Sequence, residues 1–229
     1  MNLLELVKAL AAEASTVSPS EITTVTDYAS DPVPNEHVAD LIRWIRQSDR
    51  EIQVERDDWL FRLKEGKIDM FPGDGDYDVT NFISDYWRVS PYSQGHRYIR
   101  VGTDYMPVEY VTYPQWRGDF DRRRLKASQG RPTHFTVAPD NTLKVYPIPS
   151  TESELFFDYV RKPCLMTITD ECEPVVPQAF RMLIVYRALM KHAMHDESQF
   201  QAQRAQVEYN RMMMSMRNDQ LPETRFKVG

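Results

Sequence analysis

Residues 197–217 read ESQFQAQRAQVEYNRMMMSMR and carry two apolar stripes, where a surface helix ordinarily carries one. At 100° per residue, Ala202, Ala205, Tyr209, Met212, Met213 and Met216 fall on one side of a helix. Phe200, Val207 and Met214 repeat every seven residues on the opposite side. One stripe can meet the domain's own core, which leaves the other in need of a neighbour. The spacing therefore predicts a self-association surface at Phe200, Val207 and Met214, and with it an oligomer.

Just upstream, Pro177 suits the first turn of a helix, and Met182, Leu183, Val185, Tyr186, Leu189, Met190 and Ala193 cover more than half the circumference of one running to about residue 195. This is the helix expected to be buried. At the other end of the chain, Leu3, Leu6, Val7 and Leu10 recur every three to four residues over 2–13. Glu5 and Lys8 interrupt that stretch and no basic region precedes it, so it reads as a helix and not as a leader. Ser15 to Asn35 is rich in turn residues, with Ser18-Pro19-Ser20-Glu21 matching a capping box. From Glu36 to Arg56, Val38, Leu41, Ile45, Ser48 and Ile52 follow a 3-4-3-4 spacing, with Ser48 as a small seat in the seam.

Between these helices the period changes to two. Trp59, Phe61 and Leu63 alternate with Leu60, Arg62 and Lys64, and Pro72-Gly73-Asp74-Gly75-Asp76 follows as a turn, so strand, turn and strand are expected. Short β-rich runs continue at Trp87–Val89, Tyr98–Val101, Tyr105–Val111 and Leu155–Val160. Phe135 and Val137 face Leu143 and Val145 across Pro139-Asp140-Asn141, the pattern of a hairpin. The fold class read from this order is α+β, with N- and C-terminal helices forming a helical bundle and a central antiparallel β-domain inserted between them. The expected boundaries are 1–58 for the first helical part, 59–171 for the insertion, 172–217 for the C-terminal helices, and 218–229 for a flexible arm.

Lys plus Arg number 28 against 34 for Asp plus Glu, a net charge of −6, which disfavours general binding to nucleic acid. No apolar run approaches the ~20 residues of a membrane helix, so no membrane partner is expected. Two cysteines, Cys164 and Cys172, are too few for a disulfide scaffold and read as free thiols in a soluble, intracellular protein. His192 and His195 stand three apart beside Asp196 and Glu197, a spacing that can hold a metal, yet no third ligand can be named. They read as ordinary histidines near a helix C-terminus. Asp74, Asp76 and Asp78 alternate as in a calcium loop, but Val79 stands where the turn needs glycine. Arg117, Arg122, Arg123, Arg124, Lys126 and Arg131 make the basic cluster; with Asp119 and Asp121 interleaved it reads as a solvated loop or a subunit contact, with a phosphate contact at Arg122, Arg123 and Arg124 as the alternative. No phosphate-cradling loop, nucleophile elbow or zinc-protease helix is present, so neither catalytic residue nor cofactor nor metal is expected.

The succession of elements and certain local strings resembles the head-to-tail adaptor (connector) proteins of tailed bacteriophages. The strings are Trp44-Ile45 and Ile52-Gln53 leading into Asp58-Trp59-Leu60-Phe61; Arg131-Pro132-Thr133-His134-Phe135; Leu143-Lys144-Val145-Tyr146-Pro147-Ile148-Pro149; Phe157-Asp158-Tyr159-Val160-Arg161-Lys162-Pro163; and Tyr186, Ala188, Ala205 and Tyr209 in the paired helices. The resemblance spans about residues 36–216. It implies a structural virion protein forming a ring, usually of twelve copies, docked on the portal of the head and joining it to tail or neck proteins. DNA would pass through the lumen during ejection without specific binding, and the protein would sit in the virion neck after assembly in the host cytoplasm. The C-terminal arm alternates Arg225 and Lys227 with Phe226 and Val228, and the resemblance makes the portal its expected partner. Two rival classes are a virion-associated cell-wall hydrolase with paired carboxylates and a carbohydrate-binding tail component. The latter would stack sugar on Trp87, Tyr92, Tyr98, Tyr105, Tyr110, Tyr113 and Trp116.

Overall fold

The computed structural model describes residues 1–30, 32–91, 97–124 and 128–221, apart from the side chain of Arg124. Its helices are α1 (Leu3–Ala14), α2 (Glu36–Glu55), α3 (Val79–Phe82), α4 (Tyr113–Asp119), α5 (Asp121–Arg124), α6 (Met182–His195) and α7 (Gln199–Gln220). Strands β1 to β5 are Leu63–Met70, Asp76–Asp78, Tyr86–Val89, Tyr98–Val101 and Asp104–Pro107. Strands β6 to β11 are Glu109–Tyr110, Gln129–Gly130, His134–Val137, Thr142–Tyr146, Ile148–Pro149 and Ser153–Arg161. Two compact units result, one built from Met1–Arg62 with Pro163–Gly229, the other from Leu63–Lys162.

In the first unit, α1, α2 and α7 each pack on α6, and α1 also packs on α2. That arrangement explains why α6 is apolar around most of its circumference. Leu183, Ile184, Val185, Ala188 and Leu189 are all buried. α1 starts at a capping box made by Asn2 and Glu5: the Asn2 side chain accepts from the Glu5 N–H at 2.9 Å, and Glu5 accepts from the Asn2 N–H at 3.0 Å. The expected box at Ser18–Glu21 does not form. Those residues make a turn closed by the Glu21 N–H on the Ser18 carbonyl at 2.9 Å.

The seam read in α2 is buried along its whole length, with Ser48 fully covered. Asp49 and Gln53 are buried beside it. The Gln53 amide donates to Asp49 at 2.7 Å and to the Cys164 carbonyl at 3.1 Å, and its oxygen accepts from the Cys164 N–H at 3.0 Å. One side chain thereby fastens α2 to the strand exit 111 residues away.

The alternation at Trp59–Leu63 does not make a strand. Leu60–Arg62 is a 3₁₀ turn, and the first strand begins only at Leu63. The cause is the open C-terminus of α2, whose last carbonyls need donors. Trp59 Nε1–H donates to the Ile52 carbonyl at 2.9 Å, and Arg62 Nη1 donates to the Gln53 carbonyl at 2.8 Å. Both side chains must fold back toward one helix end, which an extended backbone with alternating faces forbids.

Two further boundaries move. The helix expected from Pro177 opens with a 3₁₀ turn at Gln178–Phe180 and becomes α-helical at Met182. α7 runs to Gln220, so Asn218–Gln220 belong to the helix and not to the arm. The Leu221 N–H closes its last turn on the Arg217 carbonyl at 3.1 Å, and the Leu221 side chain packs against the core.

In the second unit, β11 is the spine. It pairs antiparallel with β1 on one side, from Leu63↔Val160 to Met70↔Ser153, and with β3 and β4 on the other. β5 continues that sheet beyond β4. A second sheet has the order β2-β9-β8-β6. The hairpin is present as read, with Phe135↔Val145 and Val137↔Leu143 in register and Asn141 at φ 66 in its turn. Phe135, Leu143, Val145, Leu155 and Phe157 are buried in the core of this unit.

The insertion is not purely antiparallel: β6 pairs parallel with β8, and β7 pairs parallel with β10. Parallel neighbours need a crossover, and between β6 and β8 the chain supplies one in α4 and α5, two short helices in a region read as loop. Of the calcium-like acids, Asp78 caps α3 by accepting from the Thr80 N–H at 2.8 Å, and Asp76 pairs with Lys144 at 3.4 Å.

Candidate functional site

Phe200, Val207 and Met214 stand on the outer side of α7, and all three are exposed, at 78, 64 and 68%. The opposite stripe is the anchor: Ala205, Tyr209, Met213 and Met216 are buried against the helical core. α7 is thus fixed by one face, and the other is left apolar and open.

Beside that face, α2, α6 and α7 flank a groove of about 1180 Å³. Its apolar wall is made by Val54, Leu165, Met213 and Met214, of which Val54 and Leu165 are about half exposed. Leu165 arrives from the segment after β11, and no helical period marked it in the sequence.

Two carboxylates hold the groove's charged floor together. Glu51 accepts from Lys191 at 2.6 Å and Arg187 at 3.0 Å. Burial alone would raise the Glu51 carboxyl, but the bonds to Lys191 and Arg187 outweigh it and hold the group below its ordinary value. Glu55 accepts from Tyr209 at 2.8 Å and Arg217 at 2.6 Å. Burial and the bond to Glu55 push the Tyr209 phenol well up, so it stays a neutral donor. Arg50 sits on the rim, exposed, and makes no ion pair among the described residues.

The histidines occupy a second, smaller recess of about 160 Å³ lined by His37, Asp40, Trp44, His192, His195 and Asp196. His192 is not the surface residue its position near a helix end implied. It is 4% exposed, packed edge-on to Trp44 at 5.5 Å, with Nε2 3.2 Å from Asp196. The reason is that α2 crosses α6 here and Trp44 needs a covering ring. Among the described residues no three His, Cys, Asp or Glu side chains are placed to hold a metal ion.

Burial lowers the His192 pKa, with Asp196 opposing and His195 and His37 adding to the shift. The sign then follows: the unfolded chain takes up this proton near pH ~6.5 while the folded chain resists it. Stability is full above that value and falls as the pH drops below it. Thermal melts between about pH 7.5 and about pH 5.5 should show this loss, and His192→Asn should flatten it; an unchanged slope in the variant would assign the loss elsewhere.

The remaining sites read from the sequence are scattered. Arg122 and Arg123 are exposed on α5, Arg123 lying 5.7 Å from the Phe120 ring, while nothing is described for the side chain of Arg124. The arm residues Arg225, Phe226, Lys227 and Val228 lie outside the described residues. Of the seven aromatics read as a sugar platform, Trp87 and Tyr105 are exposed, with Tyr105 tilted on Tyr98 at 5.6 Å, but others are withdrawn from it. Trp116 is fully buried and stacked on Phe120, Tyr110 packs on Phe135, and Tyr92 lies outside the described residues. Among the described residues no helix is long and apolar enough to cross a membrane.

A family model described as SU10 adaptor protein matches residues 1–226. Among curated proteins no match to the chain is found.

Proposed function

The chain belongs to the SU10 adaptor protein family, and from that premise we propose that its copies close into a ring on the portal of a tailed-phage head, join it to the tail and extend the DNA channel. As a phage adaptor it is a structural component of the virion neck and not an enzyme class. The observation that carries the ring is the exposed stripe of Phe200, Val207 and Met214 on a helix whose other face is already buried. Each such side chain gains on the order of 1.5–3 kcal/mol when covered. A contact between unlike surfaces closes into a ring when the rotation per copy allows it, and twelve copies is the number the family resemblance implies.

In this reading the helices from both chain ends act together as the body of the ring, and the inserted β unit is offered to tail or neck proteins. Assembly takes place in the host cytoplasm. The net charge of −6 suits a lumen through which DNA slides without being held. Incubating the full chain with portal rings and imaging the product tests the reading: a closed added ring supports it, and bare portals at saturating protein contradict it.

The arm of Arg225, Phe226, Lys227 and Val228 is proposed to dock on the portal. Deleting residues 222–229 should weaken portal binding while leaving the melting temperature unchanged. Full-strength binding without the arm would remove it from the interface.

A further inference from the structure

We propose that the groove between α2 and α7 is filled by the acid-rich limb, residues 13–40, of a second copy of this chain; the proposal rests on the ring reading and names the two surfaces that would meet. Of the helical unit's exposed large apolar side chains, Val54, Leu165 and Met214 belong to this groove, and Val207 and Phe200 continue its α7 wall. An apolar surface of this extent marks an interaction site. The charge around it selects the occupant. Arg187, Lys191 and Arg217 are spent on Glu51 and Glu55, which leaves the cluster with four cations, counting Arg50, against two carboxylates.

That excess excludes two occupants. A groove laid on the same groove of another copy would set Arg50, Arg187 and Arg217 against their own counterparts. The C-terminal arm, with Arg225 and Lys227, brings like charge. An acidic partner is required, and the chain contains one. Between Lys8 and Arg43 there is no Lys or Arg, while Glu13, Glu21, Asp27, Asp31, Glu36 and Asp40 are all acidic.

Around Thr24 the limb is held in place. Ile22 and Val25 are buried in the helical core, and Asp170 accepts from the Thr24 hydroxyl at 2.8 Å and the Val25 N–H at 2.6 Å. Glu21, Asp27 and Glu36 remain exposed and form no ion pair among the described residues. Pro34 and the half-buried Val33 supply an apolar edge beside them. Glu36 and Arg50 stand at opposite ends of α2, about 21 Å apart at 1.5 Å per residue. The Glu36 end of the limb therefore stands apart from the Arg50 rim of the groove, as a head-to-tail contact demands, while Glu13 at the limb's other end is paired with Arg204 of α7 at 3.6 Å.

The test is a charge exchange in the full chain, read by sedimentation velocity with circular dichroism as the check on folding. Arg50→Glu alone, and Glu21→Arg with Asp27→Arg alone, should each weaken association about tenfold or more, and the three together should restore it. Raising salt from about 0.05 M to about 0.5 M should weaken the wild type and the exchanged variant alike. Single-sided variants that associate like the wild type, or an exchanged variant that is not rescued, overturn the proposal. If Val207→Asp and Met214→Asp still abolish assembly in that case, the ring stands with a different partner surface. A wild type that never associates, even on portal rings, overturns both.

Discussion

Val207→Asp with Met214→Asp should leave a folded subunit that no longer assembles. Both positions are largely exposed on α7, so little packing inside the subunit is lost, and surface substitutions of this kind alter stability by roughly 0.5 kcal/mol or less. In the proposed ring the same positions would be covered by a neighbour. Burying two carboxylates there without partners should cost at least about 4 kcal/mol, or roughly a thousandfold in the association constant. Circular dichroism and the melting temperature should match the wild type, and mass photometry should find only monomers. Rings of normal mass would remove the stripe from the interface.

Trp59→Ala should produce the largest loss of stability of any single change in the helical unit. The indole is fully buried, stacked on Phe61 with centroids 5.5 Å apart, and its N–H donates to the Ile52 carbonyl at the end of α2. Truncation leaves a cavity and an unanswered carbonyl, at about 3–5 kcal/mol. Against a total stability of roughly 5–15 kcal/mol that loss should lower the melting temperature by roughly 10 °C. Trp59→Phe keeps most of the volume and loses the hydrogen bond, so the difference between the two variants in urea unfolding separates packing from capping. Equal losses would place the whole effect in the hydrogen bond.

The parts of this molecule that sequence reading reached are those with a long, regular period. The 3-4-3-4 seam of α2, the opposed faces of α7 and the alternation of Phe135 and Val137 against Leu143 and Val145 each repeat often enough to fix which side is buried. α4 and α5, of seven and four residues, are too short to show a period, and their region was read as loop. Trp59–Leu63 misled for a different reason: its alternation is genuine, but the demand of the α2 carbonyls for donors outweighs it. Of the groove only the α7 side, through Met214, was legible. Arg187 acts through Glu51, 136 residues away, and Leu165 joins the lining from a segment far from α2 in sequence; no spacing announces such a meeting. His192 shows the limit in miniature, since its place near the end of α6 suggested exposure while Trp44 on another helix buries it.

The most direct test of the proposed ring is the mass that the full chain adds to portal rings. Native mass spectrometry of portal rings saturated with the protein should give a single species carrying one closed ring of copies, twelve by the family resemblance. A distribution of partial occupancies down to single bound subunits, or portals that gain no mass, would contradict a ring-forming adaptor.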